Sequence, residues 1–215
     1  VEAIKEPNIE GLKEGVKNLD RHIKNLQGFG QTVVVCFNRY AADTDEEIEF
    51  CRQHCAEMGI GFAVNNAFNE GGAGAEELAN LVVNTIEGTP SQPLVYAYSD
   101  EQSIEEKAQE VVRKVYGGKG ATFTPAAKKM LQKIEELGLN HYPICIAKTQ
   151  YSFSSDQKAY GVPEGFSIAI RDVVINQGSE FIVLIAGEIL RMPGLPKVPQ
   201  AEKIDIVNGE IEGLS

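Results

Sequence analysis

The 215 residues are 43% hydrophobic and 24% charged, a globular composition that argues against disorder. A formal net charge of -11 leaves no cationic footprint for non-specific contact with nucleic acid or an anionic membrane surface. The longest apolar run, Phe181 to Ala186, is too short to span a bilayer, and a soluble cytoplasmic protein is expected.

Leu12, Val16, Leu19, Ile23 and Leu26 recur at helical spacing and predict an amphipathic helix from about Asn8 to Leu26, stopped by Gly28 and Gly30. The β-branched run from Thr32 to Phe37 predicts a strand buried on both faces, as in a parallel sheet. Residues just beyond the carboxyl end of such a strand face the crevice where open α/β sheets bind ligands, which places Asn38, Arg39 and Tyr40 there. Thr44 and Glu47 form a capping box for a helix from Asp45 to Met58, with Ile48, Cys51, Cys55 and Met58 inward. A second strand, Ile60 to Val64, leads into a loop from Asn65 to Gly74, and a helix runs from Ala75 to Ile86. Alternation of this kind means a parallel sheet with right-handed crossovers. Two strands make a poor sheet alone, so others are expected to complete it, from later in the chain or from a preceding N-terminal part.

The turn-rich stretch Gly88 to Pro93 divides an α/β unit, residues 1–90, from a second unit, residues 91–215. In the second unit, Leu94 to Tyr98 reads as a short strand. Ser103 and Glu106 cap a helix through Ile104, Ala108, Val111 and Val115, and Thr124 with Pro125 starts another. Pro143 to Ala147 is a strand leading into Lys148 and a long polar loop to Gly165. Phe166, Ile168 and Ile170 alternate with outward residues, Asn176-Gln177-Gly178 turns the chain, and Phe181 to Ala186 returns it. Pro193, Pro196 and Pro199 mark an extended segment. Ile204 to Ile211 reads as a hairpin with a type I′ turn at Asn208-Gly209. The second unit is therefore expected to be α+β, built with hairpins rather than crossovers.

Chemistry concentrates at the strand ends. If the first two strands are neighbours, Tyr40 and Phe68 wall a slot for a flat ring; alternatively, each plugs its own loop. Gly71, Gly72 and Gly74 precede a helix and present either an anion site or a tight connection, and they lack the Gly-Lys-Ser/Thr ending of a P-loop. Lys148, also at a strand end, meets a phosphate or is a solvated charge. His54 lies between Cys51 and Cys55, but both thiols fall on the apolar stripe and read as free and buried, and no metal site is expected. His22 reads as a packing or solvent-facing residue. No nucleophile–base grouping is legible, so the residue pattern ends at a ligand-binding α/β protein.

The strings Asn18 to Ile23, Phe29-Gly30, Val33 to Tyr40 with Asp43-Thr44, Gly71 to Gly74, Pro143 to Ser152 and Met192 to Pro199 together resemble formate–tetrahydrofolate ligase, and the resemblance runs through essentially the whole chain. It implies the C-terminal part of an enzyme with a P-loop-NTPase-like parent fold. That enzyme uses ATP with Mg2+ to convert formate to formyl phosphate, which tetrahydrofolate then captures. The P-loop domain lies upstream in the family, so the chain by itself is expected to be inactive, and its partner is that missing N-terminal domain within a homo-oligomeric parent. The resemblance assigns Asn38, Tyr40, Phe68, Gly71 and Gly72 to the folate site, and Lys148 and Pro163 to the neighbourhood of the nucleotide. Family members carry Phe and Trp where this chain has Tyr40 and Phe68, which preserves stacking but removes an indole N–H. The other readings are a stand-alone, non-catalytic small-molecule-binding module and a part used for subunit contacts.

Overall fold

The computed structural model describes residues 6–187, 197–207 and 210–212. Helix α1 spans Ile9–Gly28. Asn8 starts it, its Oδ1 accepting from the Gly11 N–H at 2.8 Å. Val16 and Ile23 of the predicted stripe are buried, whereas Leu26 has rotated out to solvent.

Strands β1 (Val34–Asn38) and β2 (Gly61–Asn65) pair in parallel, with Asn38 opposite Asn65 at their carboxyl ends. Helix α2 (Asp45–Glu57) makes the crossover. Its capping box forms as expected, and Glu47 also accepts the Asn8 N–H at 2.9 Å. These bonds, first of all the one from Asn8, hold the Glu47 carboxyl below its usual range. The expectation of a strand buried on both faces fails for β1. Cys36 and Asn38 are exposed and the rest of the strand is only half-buried, because the sheet has two strands among the described residues. The predicted loop is mostly helical: α3 (Ala67–Glu70), then a 3-10 turn (Gly71–Ala75), then α4 (Glu76–Gly88).

Helix α5 (Ile104–Val111) continues as a π turn, Val112–Tyr116, and ends at left-handed Gly117. Next come β3 (Gly120–Phe123), α6 (Pro125–Glu136), β4 (Ile144–Ala147), β5 (Ser167–Ile170), β6 (Asp172–Asn176) and β7 (Phe181–Ile185). Strands β8 (Asp205–Val207) and β9 (Glu210–Glu212) form the expected hairpin. The extended segment expected through Pro193 and Pro196, and the turn at Asn208-Gly209, lie outside the described residues.

Two expectations for this half are corrected. Crossovers are present: β3 pairs in parallel with β5, and β4 with β7, while the hairpin closes on β7 about the expected turn with β6, Asp172–Asn176, as its outgoing arm rather than the strand read through Phe166 and Ile170. The parallel partner of β5 is the short strand Gly-Ala-Thr-Phe, which has no β-branched run to announce it. And Leu94 to Tyr98 is no strand, because its backbone is engaged elsewhere: the Gln92 N–H donates to Gly30 O and that of Val95 to Phe29 O, tying the segment to the end of α1.

The larger core forms where α5 and α6 cover these sheets, with Ile104, Ala108, Ile134, Ile168, Ile182 and Leu184 essentially removed from water. Lys107 is fully buried beside them. Its Nζ donates to Asn140 O at 2.6 Å and Tyr142 O at 3.0 Å, securing the entry to β4. A smaller cluster of Ile23, Cys55 and Ile60 joins α1 and α2 to the first sheet. No helix among the described residues is long and apolar enough to cross a membrane.

Candidate functional site

The parallel register brings two asparagines side by side at the carboxyl edge of the first sheet. The Asn65 Nδ2 donates to Asn38 Oδ1 at 2.9 Å, and the Asn65 Oδ1 accepts the Ala67 N–H at 3.1 Å, at the start of α3. One side chain thus joins the end of β1 to the short helix that carries Phe68.

The opposite wall is the turn after β1. The Tyr40 N–H donates to the Asp43 carboxylate at 2.7 Å and the Asp43 N–H to Tyr40 O at 3.1 Å, closing the turn before α2. Arg39 extends the ladder through its N–H to Asn65 O at 3.0 Å, and its guanidinium pairs with Asp45 at 2.9 Å. Between the walls lies a cavity of about 420 Å3, lined by Asn38, Arg39, Tyr40, Ala41, Asn65, Phe68 and Asn69. The Tyr40 residue is 73% exposed and Phe68 90% exposed, so neither ring plugs its own loop. Two open aromatic faces beside carboxamides and a guanidinium suit a flat heteroaromatic guest with polar edges, and the volume lies in the usual range for small-molecule sites.

Gly71 and Gly72 do not join this lining. Both are exposed on the 3-10 turn beyond Phe68, and the cavity wall ends at Asn69. The first turn of α4 carries Glu76 and Glu77, whose charges oppose an anion at that helix end. Gly74 has a geometric role: a Cβ there would lie 2.5 Å from the carbonyl carbon and oxygen of Asn66, and the Asn66 N–H donates to Gly74 O at 2.9 Å. The sharp return that presents α3 therefore requires glycine at this position.

The half-buried Lys148 turns its ammonium back onto its own loop. Its Nζ donates to the carbonyls of Thr149, Ser152 and Ser154, so the loop after β4 folds around the ammonium, and burial lowers its pKa. Pro163 is half-buried in the same connection and does not line the Tyr40–Phe68 cavity. Among the described residues, no group of three or more His, Cys, Asp or Glu side chains could hold a metal. Cys51 and Cys55 are buried free thiols, as expected. Burial, with smaller contributions from Cys55, Glu47 and Asp43, pushes the Cys51 thiol up to about 11. His54 Nε2 lies 2.6 Å from the Asp20 carboxylate, joining α2 to α1.

Besides Ala41 and Asn69, the lining residue not assigned to the site from the sequence is Asn65, which stands at the end of the second strand. Its signal was present, since parallel strands ending Phe-Asn and Val-Asn place two carboxamides at one edge, but that inference needs the register.

A parallel strand pair opening on a crevice walled by two exposed rings defines an α/β protein with an open cleft at the carboxyl edge of its sheet. A family model described as "Formate--tetrahydrofolate ligase" matches residues 1–215, and the chain belongs to that family. It is similar to proteins named formate–tetrahydrofolate ligase from Bacteroides fragilis strain YCH46, at 58% identity over 215 residues, and from Bacteroides thetaiotaomicron, at 59% over 215 residues. A relative of the same name from Parabacteroides distasonis is 62% identical over 212 residues. All or 99% of this chain is covered in these matches, whereas it spans 39%, 39% and 38% of the length of the three relatives.

Proposed function

We propose that this chain supplies the folate-stacking wall of a formate–tetrahydrofolate ligase. The parent enzyme would use ATP with Mg2+ to phosphorylate formate, and the amine of tetrahydrofolate would attack the formyl phosphate to give 10-formyltetrahydrofolate. The observation carrying this reading is the convergence of Tyr40 and Phe68, each open to solvent, on one cavity edged by Asn38, Asn65 and Arg39. The pterin ring is flat, with donors and acceptors along its rim. Aromatic faces hold its plane, and carboxamides, which donate and accept, read the rim.

Gly71, at a positive φ of 61°, shapes the turn behind α3, and neither it nor Gly72 lines the folate cleft. The loop from Ala159 to Gly165, with Pro163, approaches the nucleotide, and Lys148 supports it from beneath.

The 215 residues contain no Gly-x-x-x-x-Gly-Lys-Ser/Thr string. Phosphoryl transfer depends on such a phosphate cradle, so the remainder of the enzyme would supply it and the isolated chain would turn over no substrate. Steady-state kinetics of the full-length enzyme test the reading. Tyr40→Ala should raise the KM for tetrahydrofolate and leave formate-dependent phosphoryl chemistry intact. Unchanged folate kinetics would rule out Tyr40 as a folate wall.

A further inference from the structure

A second cavity, of about 290 Å3, lies between α1 and the carboxyl end of β4 and shares no residue with the Tyr40–Phe68 cleft. Asn18 and His22 line it from α1, Lys148 and Gln150 from the end of β4, and Tyr116 from the π turn. Its walls come from distant parts of the chain and are held at a fixed spacing. The Arg21 Nε and the Asn25 Nδ2 both donate to Val115 O, at 3.2 and 2.9 Å, locking α1 onto the π turn. The loop after β4 is braced as well: Ser152 Oγ donates to Ala159 O at 2.7 Å and accepts the Ser154 N–H at 3.0 Å.

Within this frame the charge is unbalanced. The Lys148 ammonium sits 4.8 Å from the centre of the Tyr116 ring with all three N–H groups spent on backbone carbonyls. No carboxylate pairs with it among the described residues, and neither Asp nor Glu lines the cavity. Carbonyl dipoles hold a cation in place without cancelling its charge, and from the half-buried Lys148 that charge acts over several ångströms. Around it, Asn18 is half-buried while His22 and Gln150 are exposed, and the side chains of all three take no hydrogen bond or ion pair from other groups among the described residues. His22 packs against Phe153 with ring centres 5.2 Å apart, which positions its imidazole at the mouth.

We propose that this cavity binds a small oxyanion, a carboxylate or a phosphate. The Asn18 and Gln150 amides would donate to it, His22 would close the mouth, and Lys148 would attract it through space rather than by contact. Such an anion would bridge α1 and the β4 loop, and so brace the two halves of the chain against each other. The inference is independent of the folate reading and of Tyr40.

The test is a titration of the 215-residue chain with inorganic phosphate and, separately, acetate at constant ionic strength, following the side-chain amide resonances of Asn18 and Gln150 by NMR. Saturable shifts are expected with at least one anion, and the anion that binds identifies the source. Asn18→Ala and Gln150→Ala should each weaken binding about tenfold, the usual loss when a hydrogen bond to a charged group is removed. Tyr40→Ala should leave it unchanged. Lys148→Met should abolish binding, and because that loop folds around the ammonium, His22→Ala at the mouth gives a second measurement on an intact loop, with an expected loss of severalfold. Absence of shifts with both anions up to about 10 mM, beyond the weak end of specific affinity, would overturn the proposal. So would affinity retained in an Asn18→Ala/Gln150→Ala double variant.

Discussion

The Asn65 carboxamide donates to Asn38 Oδ1 at 2.9 Å while accepting the Ala67 N–H at 3.1 Å. Through these two bonds the end of β2 sets both the orientation of the β1 terminus and the start of the helix bearing Phe68. Asn65→Asp keeps the acceptor for Ala67 but loses the donor and sets a carboxylate against the Asn38 oxygen. In the full-length enzyme this variant should raise the folate KM with little change in the urea midpoint. Asn65→Ala loses both bonds and should also cost about 1–2 kcal/mol of stability. Equal folate kinetics for wild type and Asn65→Asp would show that the pairing does not matter to the site.

Replacing either ring should weaken folate use. Stacking contributes about 0.5–1.5 kcal/mol per aromatic pair beyond burial, so Tyr40→Ala or Phe68→Ala is expected to raise the folate KM about two- to twelvefold from stacking alone. Phe68→Trp enlarges the face and should lower it. Initial rates against tetrahydrofolate at saturating ATP and formate measure all three.

Two neighbouring glycines should respond differently. Gly74→Ala drives a methyl to 2.5 Å from the Asn66 backbone, which cannot move without opening the return to α3. A loss of about 2 kcal/mol or more in urea unfolding is expected, in the upper range of overpacking. A Cβ on Gly72 meets nothing within 4 Å, so Gly72→Ala should be neutral or stabilise by up to about 1 kcal/mol through the unfolded chain.

Stability should fall in alkali through Cys51. Its folded pKa, about 11, lies above the ordinary thiol value of 9.0. Between those two values the unfolded thiol ionises while the folded one keeps its proton. The native state therefore holds more protons, and the unfolding free energy decreases as pH rises from 9 toward 11. The full effect is about 3 kcal/mol. Cys55 is shifted in the same direction by burial. Lys107, whose pKa burial lowers, contributes the opposite slope below the ordinary lysine value of 10.5. Urea curves for wild type and Cys51→Ala at several pH values isolate the cysteine: the difference in unfolding free energy should narrow as pH rises, and a constant difference would refute the assignment.

Local chemistry made much of the first half legible. Asn8, Thr44-Glu47 and Ser103-Glu106 announce helix starts because capping depends on side chains within a few residues. The alternation of Ile168 and Ile170 with Ser167 and Ala169 announces a one-sided strand. By contrast, β3 has no such signature. Gly120 to Phe123 is extended because β5 lies beside it, more than forty residues later in the chain. The parallel pairing of β4 with β7 was illegible for the same reason, since what separates a crossover from a hairpin is the partner, not the strand.

By itself, the sequence determined that β1 delivers Asn38 and Tyr40 to a sheet edge, and its strings identified the family, because both follow from short-range pattern. The tertiary structure alone decided that Tyr40 and Phe68 stay open on one cavity, that Asn65 ties its walls together, and that Gly71 and Gly72 stand outside it. It also decided that the Lys148 ammonium turns inward onto three carbonyls instead of outward to solvent. Each of these outcomes depends on groups brought together from separate turns or strands, and the direction of a side chain is set by the neighbours it meets after the chain has closed.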